Sequence, residues 1–435
     1  MTIFHSASGL AMRRAWLWRN RNHFSPTPEV APTRLLVDVS EIIGSDARTG
    51  IQRVVRALWS HLERRSGDGL NVLPVHATKR HGYCYAPADF LTLECLPDPV
   101  PVHLGLGDKF LGLDLAAHLL PKYRVQLRAW RARGATVHIV VYDLLPLLRP
   151  EWFSATAVRN FRRWYSALVR DSDQALCISD QVARDLRGRL REEGERGPEV
   201  ARLRMGGDIA ASMPSTGVCA RVSQILERAR SRSSVLMVGT VEPRKGYDVA
   251  LDAFDHLWRT RGEDTPDLVI VGKGGWKTKA LQDRMRRHPE NGRRLHWLDR
   301  ASDEALCRLY EACGGLLMAS RAEGFGLPLL EAAKHGLPVL ARDLPVFREQ
   351  ELPNVAYFSD DRPEALGNAI LGLASARPVV EANGLPNWSD SVDDLLAVLG
   401  LLSRPSVDSV GSFTKVEAGS LSPNFTIESA IHDRA

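Results

Sequence analysis

Short apolar runs, each followed by a segment with apolar positions at helical spacing, recur in two series along this chain, and that alternation most constrains its fold. In the first series Leu35-Leu36-Val37-Asp38-Val39 precedes a helical pattern over 50–65, with Ile51, Val54, Val55, Leu58 and Leu62 on one face. Val137–Val141 precedes a long helical pattern over 151–170 carrying Phe153, Ala157, Phe161, Trp164 and Leu168, and a strand at Gln174–Ile178 leads into a helix after Ser179, its N-cap. The second series comprises Ser234–Val238, Asp267–Gly272, Leu295–Leu298, Gly315–Ala319 and Leu337–Ala341. Continuous apolar strands alternating with amphipathic helices predict an α/β architecture of doubly wound parallel sheets. At 435 residues and 44% hydrophobic content the chain suits two such domains facing a cleft.

The composition shifts divide the chain further. Residues 1–33 form a basic arm and 34–215 a first Rossmann-like domain, with a junction segment rich in Arg, Glu, Gly and Ser over 188–232. Residues 216–386 form a second Rossmann-like domain, 387–402 a helix crossing back onto the first, and 403–435 a Ser/Thr-rich tail expected to be disordered. Most of the net charge of +5 lies in the arm, where Arg13, Arg14, Arg19 and Arg21 mingle with Trp16, Trp18 and Phe24. That mixture suits either an unstructured leader or peripheral contact with an anionic membrane. No nucleic-acid motif is present and the remainder is nearly neutral, so nucleic acid is not an expected partner. No apolar run reaches the length of a transmembrane helix and no signal peptide is visible, so a cytoplasmic protein, peripheral at most to the inner face of the plasma membrane, is expected. The six cysteines have no metal-ligand spacing and are expected to be small core residues.

Residues 320–336, Ser-Arg-Ala-Glu-Gly-Phe-Gly-Leu-Pro-Leu-Leu-Glu-Ala-Ala-Lys-His-Gly, carry the densest chemistry. Pro328 near the start and Gly336 past the end bracket a short helix. Glu323 therefore lies on the loop from strand to helix and Glu331 one turn into the helix. Gly324 and Gly326 leave the backbone bare, so loop amides and the positive end of the helix can meet a diphosphate while the carboxylates accept bonds from sugar hydroxyls.

Together with Gly239-x-x-x-Pro243-Arg244-Lys245-Gly246 and Val271-Gly272-Lys273-Gly274-Gly275, the Glu323-x7-Glu331 pair resembles glycosyltransferase family 4, the retaining enzymes of the GT-B fold that carry a glycosyl transferases group 1 domain. The resemblance spans about Leu35 to Leu401. It implies a donor site in the second domain and an acceptor site in the first. Arg244 and Lys245 would contact the donor diphosphate, Glu323 a hydroxyl of the transferred sugar and Glu331 the ribose. Gly239, Gly272, Leu298, Phe325, Gly326 and Leu327 would line the donor pocket. Thr49-Gly50 resembles a glycine loop approaching the phosphate and acceptor. Tyr142-Asp143 stands where many members have His-Asp; Asp143 is either an acceptor-orienting group or the cap of the following turn, and Tyr142 cannot replace an imidazole near neutral pH.

Two other signals do not develop into sites. Asp171-Ser172-Asp173 matches a metal-binding Asp-x-Asp string but follows a helix and precedes a strand, the wrong end of the unit for a ligand site, so no metal or other cofactor is expected. The loop 272–275 does not complete a Gly-x-Gly-x-x-Gly fingerprint, because position 277 is Lys. The function implied by the resemblance is retaining transfer of a hexose, mannose or a rhamnose-like sugar, from a nucleoside diphosphate sugar to a glycan or lipid-linked oligosaccharide in cell-surface polysaccharide biosynthesis. The alternative is an inactive nucleotide-sugar-binding or membrane-associated scaffold.

Overall fold

The computed structural model describes residues 32–402 apart from 68, 94 and 377–383, so nearly all of the basic arm and the whole tail lie outside the described residues. The first sheet contains β1 (Thr33–Asp38), β2 (Leu70–His76), β3 (Cys84–Tyr85), β4 (Val100–Pro101), β5 (Lys109–Gly112), β6 (Thr136–Val141), β7 (Gln174–Cys177) and β8 (Glu199–Arg202). Their order is β4-β3-β2-β1-β5-β6-β7-β8, parallel from β2 to β8 with an antiparallel edge at β3 and β4. The second sheet is wholly parallel, in the order β11-β10-β9-β12-β13-β14. Its strands are β9 (Ser234–Val238), β10 (Asp267–Val271), β11 (Leu295–Leu298), β12 (Gly315–Met318), β13 (Val339–Arg342) and β14 (Val355–Phe358).

The chain reverses its direction of progress between β1 and β5 in one sheet and between β9 and β12 in the other. Crevices at strand C-terminal ends open at such reversals. The loops after β1, β6, β9, β10 and β12, all singled out in the sequence, therefore gather along the facing edges.

Three local expectations change. The helix expected over 151–170 is broken: Pro150–Trp152 makes a 3-10 turn, Phe153 is extended, and the helix Ala155–Asp171 starts afresh with the Ser154 hydroxyl accepting from the Ala157 amide at 3.2 Å. A Ser at that position offers the backbone a cap, which favours restarting there. The segment 188–232 is more regular than its composition suggests. The helix Asp180–Glu193 ends at left-handed Gly194 (φ 64°), β8 joins the first sheet, and the helix Ala220–Ser231 leads into β9. The cysteines also divide: Cys84, Cys177 and Cys313 are buried, but Cys95 and Cys219 are exposed.

The helix Trp388–Val398 does cross back, packing Trp388, Val392, Leu395 and Leu396 into the core that includes Leu58 and Leu62 of the helix Gly50–Glu63. Arg65 and Asp393 pair at its margin at 2.6 Å. Among the described residues, no helix is long and apolar enough to cross a membrane.

Candidate active site

The turn after β9 and the loop after β12 meet through charge. Arg244 Nη1 donates to Glu323 Oε2 at 2.6 Å and Lys245 Nζ to Glu323 Oε1 at 2.5 Å, while the Ser320 hydroxyl donates to the same Oε1 at 2.7 Å. Arg244 Nε also reaches Glu242 Oε2 at 3.0 Å. Burial alone would raise the Glu323 carboxyl, but Lys245 and Arg244 outweigh it and hold the group down at about 2. The turn is kept against the sheet by Gly246: its φ is +69°, and a Cβ there would lie 2.1 Å from the Ala319 carbonyl oxygen, so no larger residue fits. The donors are not exhausted. Arg244 Nη2 has no acceptor among the described residues, and Lys245 Nζ has two further hydrogens.

Glu331 lies in the helix Leu327–Lys334, buried to 1% exposure, and its partners come from both domains. Tyr310 donates its hydroxyl to Oε2 at 2.8 Å, and Arg53, from the helix Gly50–Glu63 of the first domain, pairs with Oε1. The same guanidinium reaches Asp303 Oδ1 at 2.9 Å. Asp303 also pairs with Arg48 at 3.2 Å and accepts from the Ser215 amide and hydroxyl at 2.8 Å each. Sequence patterning did not single out Arg53, Asp303, Tyr310, Ser320 or Glu242 as site residues. Arg53 sits beside Val54 and Val55 of an amphipathic helix with no local mark of its partners.

The other expected residues are distributed unevenly. Phe325 is buried and its carbonyl accepts from Gln350 Nε2 at 2.6 Å; Gly326 takes the N-cap position at φ +92°, and Leu327 opens the helix. The amides of Gly326 and Leu327 find no acceptor among the described residues and face where an anion is favoured. Gly239 accepts from the Tyr247 hydroxyl at 2.6 Å, and a Cβ on Gly272 would fall 1.9 Å from the Gly239 carbonyl oxygen, so the loops after β9 and β10 touch through bare backbone. Leu298 is buried with its carbonyl bonded to the Gly272 amide at 2.9 Å.

In the first domain Thr49 is a helix cap: its hydroxyl accepts from the Gln52 amide at 3.3 Å and its own amide donates to Gln52 Oε1 at 3.2 Å. Gly50 is the first helical residue, and a Cβ on it would meet nothing within 4 Å. Tyr142 is buried, with its hydroxyl donating to the Leu113 carbonyl at 2.8 Å. Asp143 is the cap of the following turn, and it lies within electrostatic reach of the second domain. Its Oδ1 caps the next turn through the Leu145 amide at 2.9 Å, and its carboxyl feels Arg244 and Glu323 across the cleft, with burial raising its pKa and Arg244 opposing that rise. Gly324 presses against the Tyr142 carbonyl, where a Cβ would approach to 2.0 Å. Asp171 and Asp173 lie before β7 at the opposite edge, held by Arg128 at 2.6 Å and Arg131 at 2.6 Å respectively.

The glycosyl transferases group 1 family matches residues 221–381, which contain Arg244, Lys245, Gly272, Leu298, Glu323 and Glu331. This chain is a GT-B protein carrying a glycosyl transferases group 1 domain. The serotype-specific mannosyltransferase WbdA of Escherichia coli is 38% identical over 384 residues, an alignment covering 85% of this chain and 47% of WbdA, so the chain spans about half the length of that relative. Anabaena Alr3699/HepE, solved in complex with UDP and glucose, superposes with a TM-score of 0.57 at 17% identity over 85% of this chain and all of HepE. The sucrose-phosphate synthase of Thermosynechococcus elongatus has the same TM-score at 18% identity, over 85% of this chain and 98% of its own. Within this GT-B frame the glycosyl transferases group 1 domain carries the Arg244, Lys245 and Glu323 cluster, and the preceding domain reaches Glu331 through Arg53.

Proposed function

We propose that this chain is a retaining hexosyltransferase that moves mannose from a nucleoside diphosphate sugar to a hydroxyl of a glycan acceptor carried on a lipid, in cell-surface polysaccharide biosynthesis. The observation that carries the reading is the joint arrangement of Arg244 and Lys245 with Glu323 at the reversal between β9 and β12, with donors still unfilled on both cations. Mannose is favoured by the likeness to WbdA.

In this mechanism the donor diphosphate takes the open hydrogens of Arg244 Nη2 and Lys245 Nζ together with the Gly326 and Leu327 amides. Glu323, kept ionised by those same cations, accepts from a hydroxyl of the sugar. As the bond from the anomeric carbon to the phosphate oxygen breaks, negative charge grows on the leaving diphosphate, and fixed cations stabilise that state more than the ground state. The acceptor hydroxyl attacks from the same face and passes its proton to a leaving phosphate oxygen, with retention of configuration. Asp143 is positioned to orient the acceptor. The phosphate charge is met by side chains and amides in this scheme, so full turnover in the presence of a chelator is expected.

The test is turnover on a panel of GDP-mannose, dTDP-rhamnose and UDP-hexoses with lipid-linked glycan acceptors, read by nucleotide release, product mass and the anomeric coupling of the product. An α-linked product from an α-configured donor supports the reading. Nucleotide binding with no consumption of any donor would instead favour a binding or scaffold protein, and an inverted product would refute the mechanism.

A further inference from the structure

Beside the reaction cleft lies a second cavity, of about 590 Å3, whose chemistry the donor site does not account for. Its lining combines apolar residues, Pro150, Phe153 and Val158, with a row of cations, Arg159, Arg162 and Arg163 of the helix Ala155–Asp171. These arginines stand one turn apart or adjacent, so their guanidinium groups can converge on one ligand. All three are exposed, and no carboxylate pairs with any of them among the described residues, whereas Arg124, Arg128 and Arg131 nearby are all paired with Asp171 or Asp173.

The rim is fastened across the domain boundary. Trp276 Nε1 donates to the Trp152 carbonyl at 2.8 Å, its ring packs on Phe153 at 6.0 Å between centroids, and Lys277 Nζ donates to the Glu151 carbonyl at 2.7 Å. Lys277 adopts a left-handed backbone (φ 56°), a conformation that costs a non-glycine residue energy and that brings a fourth cation to the lining. The cavity is continuous in the chain with both halves of the cleft. Asp143 leads into it through the turns Leu145–Leu148 and Pro150–Trp152, and the loop Gly272–Gly275 leads directly into Trp276 and Lys277.

A lining that joins apolar side chains to a row of unneutralised guanidinium groups selects a ligand that is both multiply anionic and hydrocarbon-bearing. Arginine forks match phosphate oxygens in pairs, and Phe153 and Val158 can cover alkyl or alkenyl carbon. We propose that this cavity binds the phosphate-bearing head and first hydrocarbon units of the acceptor's lipid carrier, and thereby holds the acceptor glycan in the cleft. The proposal rests on the reading above that the acceptor is lipid-linked, and it names the part of that acceptor which the protein grips.

The probe is farnesyl diphosphate, which carries both required features, titrated against tryptophan emission, with farnesol, inorganic pyrophosphate and phosphatidylglycerol vesicles as the comparison arms. Wild-type protein is expected to bind farnesyl diphosphate more tightly than farnesol or pyrophosphate. The triple variant Arg159→Ala, Arg162→Ala and Arg163→Ala should weaken that binding about tenfold, since it removes three ionic contacts at once. Arg162→Glu alone serves should the triple variant fail to fold, and it should lose about as much. Arg244→Ala, which removes a donor-site cation, should leave farnesyl diphosphate binding unchanged. Equal binding by wild type and the arginine variants would overturn the proposal, as would equal loss in Arg244→Ala, which would place the probe in the donor cleft. Arginine-dependent capture by vesicles without binding of soluble farnesyl diphosphate would also overturn it, marking a membrane-surface patch instead. Because the readout is binding, intact farnesyl diphosphate binding with no sugar transfer would fail the enzymatic reading alone.

Discussion

Arg53 of the first domain neutralises Glu331 of the second, 278 positions away in sequence. The same guanidinium also holds Asp303, so one side chain of the first domain ties down two acids of the second. Glu331 is almost wholly buried, and an ion in that position is tolerated only with a counter-charge and hydrogen bonds.

Replacing Arg53 by Ala is therefore expected to destabilise the protein by about 3–5 kcal/mol, the usual cost of leaving one member of a buried pair without its partner. Adding Glu331→Gln to that variant should recover part of the loss, with a coupling of about 1–3 kcal/mol in a denaturant-unfolding cycle. Strict additivity would show that the pair does not act as a unit.

Arg244→Ala and Lys245→Ala should each lower kcat by about 10²–10³ while changing KM for the donor less, because their charge matters most as the leaving diphosphate develops its own. Arg244→Lys should restore only part of the loss, since an ammonium cannot reproduce the fork that reaches Glu242 and Glu323 together. Steady-state nucleotide release measures both constants.

The acid limb of the stability curve should depend on Glu323. Its folded pKa of about 2 lies below the ordinary value of 4.5, so its stabilising contribution is complete above about pH 4.5 and is lost as pH falls toward 2. Asp38 behaves oppositely. Burial, with Asp114 nearby, raises it from 3.8 to about 7, so the folded state retains its proton longer and stability from this group declines as pH rises from about 4 to 7. Thermal midpoints across pH should show a weaker acid limb in Glu323→Gln and a flatter slope between pH 4 and 7 in Asp38→Asn.

Two glycines separate ligand approach from packing. Gly324→Ala would drive a Cβ into the Tyr142 carbonyl, so both melting temperature and turnover should fall. Gly50→Ala meets open space in a helix first turn and should keep or slightly raise the melting temperature. If the Thr49-Gly50 turn approaches the donor phosphate, the same change should lower turnover. Unchanged turnover in Gly50→Ala would remove that turn from the site.

Local pattern was sufficient for most strands, because a parallel strand covered on both faces must be apolar throughout, as Leu35–Val37, Val137–Val141 and Asp267–Val271 nearly are. It passed over β2, β5 and β14, the two-residue strands β3 and β4, and β8, where Glu199–Arg202 is half exposed and carries charge at both ends. Pro150 and Ser154 also interrupted a helical pattern that periodicity alone carried straight through.

At the site, chain order alone sets which groups stand beside one another along a single turn: Arg244 with Lys245, and Glu323 with the glycines before a helix start. Bond lengths and backbone geometry impose those neighbours whatever the rest of the chain does. What each group faces came from the packing of distant elements. It paired Glu331 with Arg53, directed the Tyr142 hydroxyl to Leu113 and made Thr49 a cap, and among the described residues it left Arg159, Arg162 and Arg163 without carboxylates. Hydrophobic periodicity records which side of an element is buried, whereas the neutralisation of a charge depends on which distant element the folded chain brings within hydrogen-bonding distance.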